Sequence, residues 1–210
     1  MNEVLQYLDE IIPNPKCELE FKKDYELLIA VCLSAQATDK SVNKVTRVLF
    51  ERYPSLEALN AASIEEIKDI IKPIGTYNKK ASFIKKISTT LVDKYNGILP
   101  RTHKELESLP GVGHKTASLV LGTLYNDNEF PVDTHVTRVC KRLGFCKKDD
   151  DVNIIEKKMK KKVPKERWIK THHQMVLFGR YYCKAISPKC ETCKIRQMCK
   201  ERKKKNVSTN

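Results

Sequence analysis

Near its C-terminal end the chain reads CKAISPKCETCKIRQMC, which sets Cys183, Cys190, Cys193 and Cys199 seven, three and six positions apart. Four thiolates in so short a stretch can converge on one centre, and the Cys-x2-Cys core supplies the bite a metal needs. The spacing matches neither the paired Cys-x2-Cys of a zinc ribbon nor a Cys2His2 finger. It reads as a metal centre, with an iron–sulfur cluster ahead of zinc. Lys184, Lys189, Lys194 and Arg196 stud the same loop, so it is a phosphate-seeking surface as well as a clasp.

A further candidate is LPGVGHKTA, Leu109 to Ala117. It is not a nucleotide P-loop, because His114 separates Gly113 from Lys115 and the segment before it has helical periodicity. A helix, a Leu-Pro-Gly-Val-Gly turn and another helix form a different device. Glycines allow a tight hairpin with positive φ and let the backbone touch a ligand. The free N–H groups of the helix that follows face any anion resting there. Gly111, Val112, Gly113 and His114 are therefore expected against a DNA phosphate, a contact that carries no sequence information. Lysines become nucleophiles where a helix's positive end, a dry cleft or nearby cations favour the neutral amine. Lys115, at the start of that helix, is a candidate for this use.

The other cysteines and histidines carry no such pattern. Cys32 and Cys140 lie on apolar stretches and read as small core residues, while Cys17 and Cys146 belong to no motif. His172 and His173 are adjacent, so they do not share one helix face, and they read as structural, as does Trp168.

The elements that must hold these residues are helical. Leu27, Leu28, Val31, Cys32 and Ala35 form one apolar stripe, and Phe83, Ile84, Ile87 and Leu91 another. Ser63 with Glu66 and Thr102 with Glu105 fit capping boxes. Prolines 54, 73, 100, 110, 131 and 164 fall between periodic segments. No alternating run has strand length. The expectation is an all-α protein of about nine or ten helices in two tightly packed subdomains, divided near YNDNEFP, Tyr125 to Pro131.

Charge points to a partner. With 40 Lys and Arg against 26 Asp and Glu the net charge is +14, which favours a polyanion such as nucleic acid. The runs KKMKKK (157–162) and KERKKKN (200–206), read as a solvated helix face and a tail, account for only part of it. No apolar run approaches the ~20 residues that cross a bilayer. The acidic start MNEVLQYLDEIIP lacks the layout of a secretory or mitochondrial address. A reducing compartment is expected, cytoplasmic and associated with the nucleoid if the source is prokaryotic, where clustered cysteines mean metal before disulfide.

Together, LSAQATDKSVNK (33–44), IGTYNKKA (74–81), LPGVGHKTA, VDTHVTRV (132–139), FGRYYC (178–183) and the cysteine spacing resemble the endonuclease III family, from about Tyr25 to Cys199. The resemblance implies two all-α domains with a DNA cleft between them. One is a helical barrel with the helix–hairpin–helix, here 17–127. The other is a cluster domain made from both chain ends, here 1–16 with 128–210. It implies Lys115 as nucleophile, Asp133 as catalytic aspartate, and Cys183, Cys190, Cys193 and Cys199 as ligands of a structural [4Fe–4S] cluster. Gln36 matches the residue that fills the gap left by a flipped nucleotide, and His135 a pocket-lining histidine. Tyr77 and Asn78 fall among the DNA contacts. Thr76 departs from the pattern, since relatives often carry a bulky apolar wedge before the Tyr-Asn pair.

The implied activity is excision of damaged pyrimidines from double-stranded DNA, followed by β-elimination at the abasic site, by a monomer without membrane attachment. A monofunctional adenine or thymine mismatch glycosylase is disfavoured. Such relatives usually carry Ser or Tyr in place of Lys115, and the adenine enzymes place a carboxylate on a first core helix that here reads LIAVCLSAQ. A non-catalytic DNA-binding iron–sulfur protein would need neither Lys115 nor Asp133.

Overall fold

The computed structural model describes residues 1–200; residues 201–210, with most of the KERKKKN run, lie outside the described residues. The described residues form eleven α-helices and two short 3-10 turns, and no strand. That is slightly more than the nine or ten expected; Leu56–Ala61, at 6 residues, is too brief for periodicity to reveal, whereas the start of His103–Glu107 is marked by Thr102.

The chain divides into two compact units, Cys17–Tyr125 and Met1–Lys16 with Asn126 onward. The first holds α2 (Asp24–Leu33), α3 (Asp39–Arg52), α4 (Leu56–Ala61), α5 (Ile64–Ile71), α6 (Tyr77–Tyr95), α7 (His103–Glu107) and α8 (His114–Tyr125). Its central helix α2 is buried at every position from Tyr25 to Leu33, so it packs on all sides rather than along one stripe. Ala35 lies beyond its end and is exposed, which corrects the expected stripe. Glu26, 5% exposed, is satisfied by the backbone N–H groups of Lys22 and Lys23 at 2.6 and 3.2 Å. Around α2 pack α3, α6 and α8, with Leu28, Leu49, Ile84 and Val120 fully buried.

Local signals set the helix ends in this unit. Ser63 and Glu66 form the expected capping box at α5. At α7 the hydroxyl of Thr102 accepts from the Glu105 N–H, but the Glu105 carboxylate bonds the Thr102 hydroxyl at 2.6 Å instead of completing a box.

The second unit holds α1 (Asn2–Ile11), α9 (Thr134–Leu143), α10 (Val152–Lys162) and α11 (Trp168–Tyr181), so the start of the chain packs with its later part. Val4, Leu8, Phe130, Val136, Met175 and Phe178 lie in its core. The Asp9 carboxylate on α1 accepts from Arg167 at 2.8 Å, Lys170 at 2.9 Å and Gln174 at 3.0 Å. The run 157–162 on α10 is not uniformly solvated: Met159 is buried, and Lys160 pairs with Glu156 at 2.7 Å. His172 is buried with Nδ1 2.7 Å from the Pro131 carbonyl, and the Trp168 indole donates to the Val163 carbonyl at 2.9 Å.

Candidate functional site

The hairpin joins α7 to α8. Gly111 has φ +81°, and a Cβ there would fall 2.5 Å from the Phe83 ring, so only glycine fits. Gly113 behaves differently from expectation. It does not adopt positive φ, and nothing lies within 4 Å of where its Cβ would be. Its missing side chain leaves backbone open to an approaching ligand rather than permitting the turn. The carbonyl of Gly111 meets the Cys32 thiol at 3.9 Å, tying the turn to α2. His114 and Lys115 are exposed in the first turn of α8. Burial pushes the Cys32 thiol up to about 12, in keeping with an inert core role.

Gln36 follows α2 and Thr76 precedes α6, and both are exposed and left-handed, at φ 57° and 59°. A β-branched residue pays for that backbone. The Thr76 hydroxyl donates to the Gly75 carbonyl at 2.6 Å. Tyr77, half-buried, and Asn78, exposed, open α6 directly after it. Sequence reasoning missed Lys80. It is only 5% exposed, and its ammonium donates to the Ala35 carbonyl at 2.7 Å, holding the loop that carries Gln36. Its place in the motif IGTYNKKA was the available signal.

In the second unit Asp133 is the N-cap of α9, with Oδ1 accepting from the Val136 N–H at 2.7 Å. Two positions on, His135 Nδ1 lies 3.2 Å from Arg138 Nη2. Gly179 lets α11 approach this helix closely, since a Cβ there would sit 3.0 Å from the His135 Cβ.

Arg138 and Arg142, one turn apart on α9, grip the cysteine loop. Arg138 donates to the carbonyls of Cys183 at 3.1 Å and Gly179 at 2.7 Å. Arg142 donates to the Lys184 carbonyl at 2.6 Å and lies 3.4 Å from the Cys183 Sγ. Both arginines were missed; their i, i+4 spacing was a signal only of a shared face. Burial pushes the Cys183 thiol up, and the hydrogen bond and charge of Arg142 pull against that.

Cys183, Cys190, Cys193 and Cys199 all line one cavity of about 490 Å³, with Arg142 and Tyr182 also in its lining. None of the four is in a disulfide. An all-thiol donor set with an arginine donating toward a sulfur fits an iron–sulfur cluster, and the cavity is larger than one ion with ~2.3 Å sulfur bonds requires. On the same loop Lys184 and Lys189 are exposed, the latter with its ammonium 5.2 Å from the Tyr182 ring centre. Lys194 is also exposed but is paired with Glu10 of α1, so its charge is partly committed within the protein.

A family model described as "HhH-GPD superfamily base excision DNA repair protein" matches residues 29–165. Endonuclease III of Bacillus subtilis is 45% identical over 202 residues, covering 96% of this chain and 92% of the relative. Among solved structures, a non-covalent endonuclease III–DNA complex matches at TM-score 0.94 and 48% identity, covering 98% of this chain and 96% of the other. A trapped endonuclease III–DNA covalent intermediate matches at TM-score 0.92 and 47% identity, covering 98% and 99%. The chain belongs to the HhH-GPD superfamily and, within it, to the endonuclease III family.

Proposed function

We propose that this chain removes damaged pyrimidines from double-stranded DNA and cuts the strand 3′ to the resulting abasic site, with Lys115 as nucleophile and Asp133 as its catalytic carboxylate. The observation that carries the reading is the exposed Lys115 amine in the first turn of α8, directly after a hairpin whose Gly113 leaves backbone open to a phosphate. The enzyme class is that of a base-excision DNA glycosylase and abasic-site lyase.

The chemistry runs as follows. The hairpin amides and the start of α8 hold the backbone phosphate, and the damaged nucleotide leaves the stack, at least cost where it already pairs poorly. Gln36 takes up the space left behind. The neutral Lys115 amine attacks C1′, and the C1′–N bond breaks with its electrons leaving on the base. The Asp133 carboxylate accepts a proton from the amine or offsets charge developing on the sugar. Ring opening gives a Schiff base, which acidifies the C2′ proton. Loss of that proton expels the 3′ phosphate.

Cys183, Cys190, Cys193 and Cys199 would hold a [4Fe–4S] cluster, which supplies a structural clasp and takes no part in these steps. Gly111, Val112, His114, Tyr77, Asn78, His135, Lys184, Lys189 and Lys194 complete the proposed DNA contacts. The two units serve as barrel domain and cluster domain of a monomer working at the nucleoid of a bacterial cytoplasm.

Borohydride trapping on an oligonucleotide with one thymine glycol tests the reading. The parent protein gives a covalent adduct, and Lys115→Gln binds the same DNA but gives neither adduct nor cleavage. Adduct from Lys115→Gln at the parent level would refute the assignment. Base release without any adduct from the parent would favour the monofunctional reading.

A further inference from the structure

The hairpin carries a constellation of which excision uses only His114, as a proposed DNA contact. His103 opens α7 and Glu107 closes it, an i, i+4 pair on one face, while His114 opens α8 across the turn. Glu107 Oε1 lies 2.9 Å from His103 Nδ1 and 3.2 Å from His114 Nδ1. The two imidazoles stack with centroids 4.8 Å apart and planes 23° from parallel. One ligand atom from each of the three residues lies within 4.8 Å of the other two. The side chains of His103, Glu107 and His114 are 32%, 37% and 51% exposed, so an ion can reach them from solvent.

Two imidazole nitrogens and one carboxylate oxygen are the donor set of zinc sites that keep a fourth position for water. Bonds of ~2.0–2.2 Å around a tetrahedral ion put ligand atoms roughly 3.3 Å apart. The two nitrogen–oxygen separations already lie within a few tenths of an ångström of that. Only the imidazole pair has to close.

We propose that His103, Glu107 and His114 form a binding site for a zinc-class divalent cation that clasps α7 to α8 across the hairpin. On binding, each Nδ1 gives up to solvent the proton it shares with the carboxylate while the ring keeps a proton on Nε2, so the ion takes two nitrogen bonds and one oxygen bond, and water fills the open position. Its ligands come from both sides of residues 108–113, so occupancy holds the hairpin closed. Anything that binds the folded state alone stabilises it by mass action, so the ion raises thermal stability. The site is separate from the four cysteines; it shares His114 with the proposed DNA contacts, and titration of the DNA-free chain tests it apart from them.

Zn2+ alone is titrated by calorimetry into the full chain with its cysteine centre loaded and loosely held metal removed. The parent protein is expected to bind one more equivalent than His103→Gln or Glu107→Gln, or to bind at least ~10-fold more tightly than either. Zn2+ should raise the melting temperature of the parent more than that of the variants. With 15N-labelled histidine, Zn2+ should shift the ring nitrogens of His103 and His114 among the five histidines. Equal Zn2+ binding by parent and variants would overturn the proposal. So would unchanged His103 and His114 signals in the parent, which needs no variant to fold.

Discussion

Replacing Gly111 by alanine isolates the hairpin's geometric demand from its proposed contact with DNA. At φ +81° an L-residue costs about 1–2 kcal/mol. The added Cβ also meets three Phe83 ring carbons at 2.5, 2.8 and 2.9 Å, all inside normal contact, and relieving such an overlap costs about 1–3 kcal/mol more. The Phe83 ring is half-buried against the core, so it has limited room to retreat. The sum is a loss of about 2–5 kcal/mol in denaturant unfolding. Gly113→Ala is the control. It meets nothing within 4 Å and sits at negative φ, so it should change stability by less than about 1 kcal/mol, with a small gain allowed. The same control should nevertheless weaken binding to lesion DNA, because its methyl group occupies the space proposed for the phosphate. Adding Phe83→Ala to Gly111→Ala should remove the clash and leave only the backbone cost relative to Phe83→Ala. A Gly111→Ala protein as stable as its parent would refute the reasoning, as would a Gly113→Ala protein destabilised to the same degree.

Other outcomes follow from single contacts. Arg142→Ala removes donors to the Cys183 and Lys184 carbonyls and to the Cys183 sulfur, so it should lose the visible absorbance of an iron–sulfur centre faster than the parent under chelation. Lys80→Met should cost about 1.5–3 kcal/mol as a charged hydrogen bond to Ala35 is lost, and should slow excision from duplex DNA by loosening the Gln36 loop. Lys79→Met, which loses only an exposed ammonium 5.6 Å from the Phe83 ring centre, should cost under about 1 kcal/mol.

Burial acts to raise the Asp9 carboxyl, but hydrogen bonds from Lys170, Gln174 and Arg167 outweigh it and bring it down to about 2. Its folded-state value is thus below its unfolded value near 4. Its stabilising contribution is present above pH ~4 and is lost as pH falls toward about 2. The stability gap between parent and Asp9→Asn, measured by denaturant unfolding, should shrink across that window. A gap that stayed constant would contradict the assignment.

Several features were legible because their causes are local. The Ser63–Glu66 box, the prolines between helices and the helical period of α6 depend on neighbours a few residues away. The all-α class followed from them, and the combined motifs marked the family. Other expectations failed where packing overrides pattern. The stripe read through Ala35 stops at Leu33, because α2 is surrounded and has no polar face to reveal its end. Both hairpin glycines looked alike in sequence, yet Phe83, 28 positions before Gly111, separates their roles.

By itself, then, the amino-acid order determined the helices, the hairpin, the cysteine spacing and the basic charge, since each is written in propensities and spacings within a turn or two of chain. Only the tertiary structure decided that Lys80 holds the Ala35 carbonyl and that Arg138 and Arg142 grip a loop more than forty residues away. It also decided that His103 and His114 meet at one carboxylate oxygen. The reason is physical. A cap or a period is satisfied by adjacent backbone, whereas a partner across a fold is chosen by how whole helices pack, and no short stretch of sequence carries that choice.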